Sequence, residues 1–231
     1  MAFDYSKHKN IQLRMLKDIY TDTAIAPHLG FKGGTAALLF YHLNRYSVDL
    51  DFDLLDERKE KEVFEKLETI ARGYGDIRES RLKRYSAIII LSYDARAQNI
   101  KIEVNRRTFG SRYELKTLLG ISMLVQVAED MFANKLMALY ERLGKTSRDV
   151  FDVYFFAKNN WPINRKIVEK RAGMPYAETA QKCIELLERM NNRSILDGLG
   201  EFLTESQKDW ARAKLRSETI FLLKARLESD K

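Results

Sequence analysis

The chain has 231 residues, 45% of them hydrophobic, which is enough for one large domain or two small ones with a substantial core. Its one cysteine, Cys183, excludes an intrachain disulfide and any cysteine-based metal site, and no run of about 18 apolar residues could span a bilayer. With no apolar signal core near the N-terminus and a formal charge of +7, we expect a soluble cytoplasmic protein with an acidic partner such as nucleic acid.

The apolar periodicity of the first half alternates between helical and strand-like segments. The expected helices cover residues 6–20, 36–42 and 59–74. The expected strands begin near residue 29 and then cover 48–54, 77–84, 87–93 and 99–105. The last three strands are separated by short turns, so they predict an antiparallel meander that extends the sheet.

From about residue 127 the sequence reads as almost wholly helical. The expected helices cover residues 128–142, 148–158, 163–171, 176–190, 195–203 and 206–228. The prediction is therefore an α+β protein, with a catalytic domain over residues 1–120 and a helical bundle over residues 121–231.

A glycine pair stands directly before the helix expected over residues 36–42. Gly33 and Gly34 lack side chains, so their backbone N–H groups can approach a polyphosphate, and Thr35 can cap the helix with its hydroxyl. A glycine pair alone usually marks an ordinary turn. The acidic strand that follows is what favours phosphate binding here.

Three aspartates lie on that strand. Asp49, Asp51 and Asp53 alternate with apolar residues, so their carboxylates share one face. Like charges side by side destabilise a strand, and a hard divalent cation with oxygen ligands is the expected compensation. Magnesium is the best candidate, with manganese as its substitute.

Charged residues also interrupt two of the apolar C-terminal helices. The ammonium of Lys135 must either reach water or meet a fixed anion. Asp149 and Asp152 share a helix face with hydrophobic neighbours, where an uncompensated carboxylate is costly. Arg148 and Asp152 could instead form an ordinary i,i+4 ion pair.

Taken in order, these motifs resemble a known family. They are Lys-Gly-Gly-Thr-Ala at 32–36, Arg-x-Ser-x-Asp-x-Asp-Phe at 45–52, Lys-Leu-x-Ala-Leu at 135–139 and Arg-Asp-x-x-Asp at 148–152. Their order and spacing are similar to those of the AbiEii/AbiGii-type toxins, a bacterial branch of the DNA polymerase beta-like nucleotidyltransferase superfamily. The resemblance covers about residues 25 to 160.

The resemblance implies a nucleotidyltransferase fold, in which a mixed sheet with flanking helices precedes the helical bundle, and it implies roles for individual residues. The implied metal ligands are Asp49, Asp51 and Glu103, which also count as catalytic together with Lys135 and Asp149. The implied nucleotide-binding residues are Lys32, Gly33, Gly34, Thr35, Arg45, Ser47 and Lys135, with Arg148 and Asp152 as possible additions. The alternatives are a Glu103 that only pairs with Lys101 on the surface and an Asp53 that only marks the end of its strand.

The implied reaction moves a nucleoside monophosphate from an NTP to an acceptor. The expected acceptor is RNA, such as a tRNA 3′ end, with a protein hydroxyl or a small molecule as alternatives, and an antitoxin protein is the expected partner. Basic clusters near residues 78–84 and 106–112 suit an RNA backbone. The rival interpretation is a catalytically inactive module that keeps the fold and binds nucleic acid or a partner. The presence of Asp49, Asp51, Glu103 and Lys135 with compatible spacing argues against it.

Overall fold

The structure, a computed structural model, describes residues 4–229 and divides into two units. Unit 1 comprises Met1–His42, Tyr46–Thr108 and Arg112–Gln126, and unit 2 comprises Leu43–Arg45, Phe109–Ser111 and Val127–Lys231. The outermost residues of the two predicted domains, 1–3 and 230–231, lie outside the described residues. The domain boundary predicted at residue 120 falls in the turn of a hairpin of unit 1.

Unit 1 is built on a seven-stranded mixed sheet with the strand order β3-β4-β5-β2-β1-β7-β6. The strands are β1 (Leu29–Lys32), β2 (Leu50–Leu54), β3 (Asp76–Leu82), β4 (Ser86–Ser92), β5 (Ile100–Asn105), β6 (Tyr113–Leu118) and β7 (Ile121–Gln126). The pairs β2–β5 and β1–β7 are parallel and the other pairs are antiparallel. The predicted antiparallel meander is confirmed as β3–β4–β5.

Three helices accompany this sheet, namely α1 (Tyr5–Thr21), α2 (Gly33–Tyr41) and α3 (Glu60–Arg72). The side chain of Asp4 caps α1 by accepting a hydrogen bond from the backbone N–H of Lys7 at 3.1 Å. Apolar residues at helical spacing bury one face of each long helix, such as Met15 and Ile19 in α1 and Val63 and Leu67 in α3. These faces form much of the core of unit 1.

Strands β6 and β7 lie in a segment for which no element is predicted from the sequence. They form a hairpin whose two turn residues, Leu119 and Gly120, both have positive φ. Leu115 of β6 and Leu119 of the turn are exposed, so apolar residues in this segment do not mark the buried face of a strand, and the alternation typical of a strand cannot be recognised in the sequence. The sheet therefore runs on to Gln126.

Unit 2 is helical. Its helices are α4 (Ala128–Arg142), α5 (Arg148–Lys158), α6 (Arg165–Ala172), α7 (Tyr176–Arg189), α8 (Glu205–Trp210) and α9 (Arg216–Ser229). α4 packs against α5, α6 and α7, while α9 packs against α5 and α7, around buried aromatic side chains such as Phe132 and Phe156. Cys183 of α7 is buried in this core, and burial raises the pKa of its thiol to about 12.

One C-terminal helix prediction is contradicted by the structure, and the next is confirmed with an irregular stretch inside the helix. The helix predicted over 195–203 is wrong, because this segment consists of turns with a short 3-10 helix, and Gly198 has a φ of +62°. The helix predicted over 206–228 is a helical run from Glu205 to Ser229 that contains a π-helical stretch at Ala211–Leu215. The predicted fold class, a mixed sheet with helices followed by a helical region, is confirmed. No helix within residues 4–229 has the length and hydropathy needed to cross a bilayer.

Candidate active site

The three acidic residues predicted as metal ligands lie on, or directly before, two neighbouring strands of unit 1. Parallel pairing of β2 with β5 places Asp51 directly opposite Glu103, and Asp49 immediately precedes β2. Because side chains alternate along a strand, Asp49, Asp51 and Glu103 share one face of the sheet. All three are partly exposed, so solvent reaches them.

Lys101 supplies a positive charge within this acidic group. Its Nζ lies 2.7 Å from Glu103 Oε2 and 3.9 Å from Asp49 Oδ2. Burial alone would lower the pKa of Lys101, but the carboxylates of Asp51, Asp49 and Glu103 outweigh it and raise that pKa. Burial would likewise raise the pKa of Glu103, but Lys101 outweighs it and lowers that pKa. Glu103 therefore both faces Asp51 and pairs with Lys101.

The donor set suits a divalent cation in its chemistry. Asp49, Asp51 and Glu103 offer only oxygen ligands, which Mg²⁺ and Mn²⁺ prefer, and the ammonium of Lys101 already stands as a cation against two of them. Within residues 4–229, no three His, Cys, Asp or Glu side chains are grouped as they stand so that they could hold a metal ion, and Lys101 lies among the three carboxylates instead. The three carboxylates are the residues that would hold an ion, and Lys101 neutralises part of their charge in this structure.

Gly33, the first residue of α2, lies directly against Asp51. Its φ is +79°, which favours glycine, and a Cβ built at this position would clash with the Asp51 carboxylate. The predicted phosphate turn and the acidic strand are therefore in contact. The backbone N–H groups in the first turn of α2 lie next to this contact, and they have no hydrogen-bond acceptor within the helix.

Thr35 does not cap α2, contrary to the sequence prediction. The N-cap is Lys32, and no side chain bonds the first turn. The buried Thr35 hydroxyl instead donates to the carbonyl oxygen of Asp49 at 2.5 Å and lies 3.1 Å from Ser47 Oγ. The helix starts three residues earlier than predicted, which turns this hydroxyl toward the loop before β2. Thr35 and Ser47 brace the backbone that carries Asp49.

His8 of α1 braces the same loop and was not among the predicted site residues. Its Nε2 lies 3.0 Å from the carbonyl oxygen of Val48, and its Nδ1 lies 2.8 Å from the hydroxyl of Tyr93. Burial lowers the pKa of His8, although the bond to Val48 opposes this shift. The available sequence signal was the helical spacing of His8 with the buried residues Gln12 and Met15.

Asp53, the third aspartate of the strand, is engaged by its neighbours in the sheet. Its Oδ1 lies 2.5 Å from Lys32 Nζ, and its Oδ2 accepts a hydrogen bond from the Tyr113 hydroxyl. Gly30 lies opposite Asp53, and a Cβ there would clash with the Tyr113 ring. A glycine within a strand was the signal for this close approach. Lys32 therefore contacts the carboxylate of Asp53 in this structure.

In unit 2, Asp152 is the centre of a buried ion-pair group. Arg45 donates to both carboxylate oxygens, from Nε at 2.6 Å and from Nη2 at 2.8 Å, and Lys135 Nζ lies 2.7 Å from Oδ2. Burial alone would raise the pKa of Asp152, but Arg45 and Lys135 outweigh it and hold that pKa far below its usual range. Asp152 thus orients two of the predicted nucleotide-binding cations.

Asp149 lies beside this group. Its Oδ1 accepts a hydrogen bond from Arg142 Nη2 at 2.9 Å and is 3.9 Å from Lys135 Nζ. Arg148 does not follow the local ion-pair alternative, since its guanidinium stacks over the ring of Phe202, 5.2 Å from the centroid. Lys135 therefore has a fixed anion within unit 2, and Asp152 is nearer to its ammonium than Asp149. The nucleotide triphosphate that the family resemblance implies as the anion for Lys135 stays a prediction.

A basic surface lies at the β3–β4 turn of unit 1. Tyr85 is exposed, and the guanidinium groups of Arg84 and Arg107 lie 5.0 and 5.4 Å from its ring centroid. Lys83 is exposed beside them, whereas Arg106 is engaged by Glu60 at 2.7 Å. This surface combines aromatic and cationic groups, as single-stranded nucleic-acid sites do.

The fold is that of the nucleotidyltransferases. One similar structure is described as "Crystal structure of putative nucleotidyltransferase from H. pylori"; it has a TM-score of 0.60 and 18% identity, and the match covers 100% of this chain and 99% of that one. A second, JHP933 from Helicobacter pylori, has a TM-score of 0.58 and 18% identity, with 100% and 96% covered. At this identity the likeness establishes the fold.

The family follows from the sequence itself. The family model described as "Nucleotidyl transferase AbiEii toxin, Type IV TA system" matches residues 14–220, which is most of the chain. The chain therefore belongs to the AbiEii nucleotidyltransferase toxin family, as the motifs predict. A search of curated proteins finds no significant match.

Proposed function

We propose that this chain is a metal-dependent nucleotidyltransferase that moves a nucleoside monophosphate from an NTP to an RNA acceptor, as the toxin of a toxin–antitoxin pair. The observation that carries the proposal is the placement of Asp51 opposite Glu103 and against Gly33. Carboxylates suited to a divalent cation and backbone N–H groups suited to phosphate thereby meet at one place in unit 1.

In this proposal Asp49, Asp51 and Glu103 hold Mg²⁺ or Mn²⁺. A bound ion would supply Lewis-acid activation of the acceptor hydroxyl and neutralise charge on the departing pyrophosphate. The protein's own contribution is position and charge. Thr35, Ser47 and His8 fix the backbone next to Asp49, so the carboxylate is placed before substrate arrives.

The phosphates of the NTP are proposed to bind backbone N–H groups at the start of α2. Gly33 and Gly34 leave this end of the helix open to a polyphosphate. In unit 2, Lys135 and Arg45 are proposed as phosphate-binding cations that Asp152 orients. A cation already paired with a buried carboxylate is held in one geometry, which lowers the entropy lost on binding an anion.

RNA, such as a tRNA 3′ end, is the proposed acceptor. The formal charge of +7 and the basic surface around Tyr85 support an anionic macromolecule as substrate. The type IV family supports an antitoxin as partner. We place the reaction in the cytoplasm, where NTPs and RNA are present together.

The test is transfer of label from each α-labelled NTP to total bacterial RNA with Mg²⁺. The variants are Asp51→Asn and, as a matched control, Asp76→Asn, which alters an exposed strand aspartate outside the acidic group. We expect the wild type and the control to label a defined RNA, and Asp51→Asn to lose at least about a hundredfold in rate. Labelled protein in place of RNA would redirect the acceptor to a protein hydroxyl. No label in any sample, with RNA binding unaffected by Asp51→Asn, would favour an inactive binding module.

A further inference from the structure

Lys101 takes no part in the proposed reaction, yet its ammonium lies beside two of the three carboxylates. We propose that Lys101 is a built-in counter-ion of the acidic group, which a divalent cation must displace in order to bind Asp49, Asp51 and Glu103. The inference rests on the proposed function, because it concerns the same carboxylates. It makes Lys101 the residue that sets the affinity of the site for metal.

The contacts show why the two cations compete. The ammonium lies 2.7 Å from Glu103 Oε2 and so takes up an oxygen atom that an ion would need as a ligand, and its charge also stands 3.9 Å from Asp49 Oδ2. A divalent ion bound to the same oxygens would lie within a few ångströms of the ammonium, where like charges repel strongly. Lys101 and a bound ion therefore exclude each other.

The side chain is able to leave. About 33% of the Lys101 side chain is exposed, and its flexible four-carbon stem allows the ammonium to turn toward water. Lys101 comes first among the three lysines whose charge acts on Glu103, ahead of Lys32, which pairs with Asp53, and Lys83, so its departure removes the main cation from this carboxylate. The same contact stabilises the metal-free protein, because it offsets repulsion between Asp51 and Glu103 across the paired strands.

The chain offers a closely matched control in Lys116 of β6. Its Nζ lies 2.8 Å from Glu114 Oε1, two residues away on the same strand face, and 30% of its side chain is exposed. This pair reproduces the spacing of Lys101 and Glu103 and the exposure of the lysine, while Glu114 is 50% exposed against 29% for Glu103. The Lys116 ammonium also lies 5.0 Å from the centroid of the Tyr41 ring. It lies on the edge strand β6, three strands away from β2 in the sheet.

The experiment measures Mn²⁺ binding to the nucleotide-free protein from the electron paramagnetic resonance signal of free Mn²⁺. We expect Lys101→Met to bind Mn²⁺ about tenfold more tightly than the wild type, Lys101→Arg to match the wild type, and Lys116→Met to remain unchanged. Without metal, Lys101→Met should unfold at a lower temperature than Lys116→Met. Added Mn²⁺ should then raise the unfolding temperature of Lys101→Met more than that of the wild type.

Two results would overturn the inference. Equal or weaker Mn²⁺ binding by Lys101→Met would show that the ammonium does not compete with the ion. If Lys101→Met fails to fold, Lys101→Gln replaces it with the same expectation, because it also removes the charge. If neither the wild type nor any variant binds Mn²⁺, Lys101 cannot compete with a metal ion, and the inference fails. Label transfer to RNA by the wild type would then test the proposed function separately.

Discussion

Replacing Asp152 with asparagine tests the ion-pair group of unit 2. The substitution keeps the shape of the side chain but removes a carboxylate that is fully buried and bonded to both Arg45 and Lys135. Two cations, of which Arg45 is buried and Lys135 is only 13% exposed, are then left near each other without their shared anion.

The expected loss in the free energy of unfolding follows from this burial. Removing one partner of a buried ion pair costs about 3–5 kcal/mol, because the remaining charges have lost their solvation and their nearest carboxylate. The matched control is Asp209→Asn, which breaks the exposed pair with Arg212 at 2.8 Å. Exposed pairs contribute roughly 0–1 kcal/mol, so the two variants should differ clearly.

The assay is equilibrium unfolding in urea followed by tryptophan fluorescence. The chain has two tryptophans, Trp161 and Trp210, and both lie in unit 2, so the signal reports on the unit that contains Asp152. A loss below about 1 kcal/mol in Asp152→Asn, equal to that of Asp209→Asn, would refute the assignment of Asp152 as the anchor of the group.

The pH dependence gives a second check on the same residue. The folded-state pKa of Asp152 is lowered, so its contribution is present above the unfolded pKa of about 3.9 and is lost as pH falls through the lower folded value. The difference between wild type and Asp152→Asn should therefore stay constant from about pH 7 to 5 and shrink only in strong acid. A difference that disappears near neutral pH would contradict the assignment.

Two further predictions concern unit 1. Gly33→Ala should abolish transfer and lower the free energy of unfolding more than Gly120→Ala does. Both glycines have positive φ, but only a Cβ at Gly33 would clash with Asp51. Equal losses in urea unfolding would show that this contact does not matter for stability. Burial lowers the pKa of His8, so its contribution to stability is present above about pH 6.5 and is lost as pH falls below it. The wild type should thus lose stability as pH falls from about 7.5 to 5.5, whereas His8→Gln should lose less. Identical pH profiles of the two proteins would argue against a stabilising role of neutral His8.

Local sequence patterns predicted the elements that local forces decide. The alternation in residues 48–54 predicted the strand that became β2, and helical spacing predicted α4 and α5 with the bounds that the structure shows. Predictions failed where backbone conformation or exposure overrode the pattern. The segment 195–203 is not helical, because Gly198 has a positive φ. Strand β6 was not predicted, because Leu115 is an apolar residue on its exposed face.

The sequence by itself determined which residue types the candidate site contains, because Gly33, Asp49 and Asp51 follow one another within a short stretch of chain. Only the tertiary structure decided their partners. Glu103 came to face Asp51 through the parallel pairing of β2 with β5, and Lys101 came with it on the same strand face. Spacing along the chain cannot show which strands become neighbours in a sheet.

Asp152 shows the physical reason most clearly. Its local candidate was Arg148, one helical turn away, but its carboxylate is bound by Arg45, which is 107 residues distant in sequence. A buried bidentate guanidinium–carboxylate pair is stronger than an exposed i,i+4 pair, so packing in the interior outweighs proximity along the chain. Partner choice in this protein is therefore a property of the folded interior.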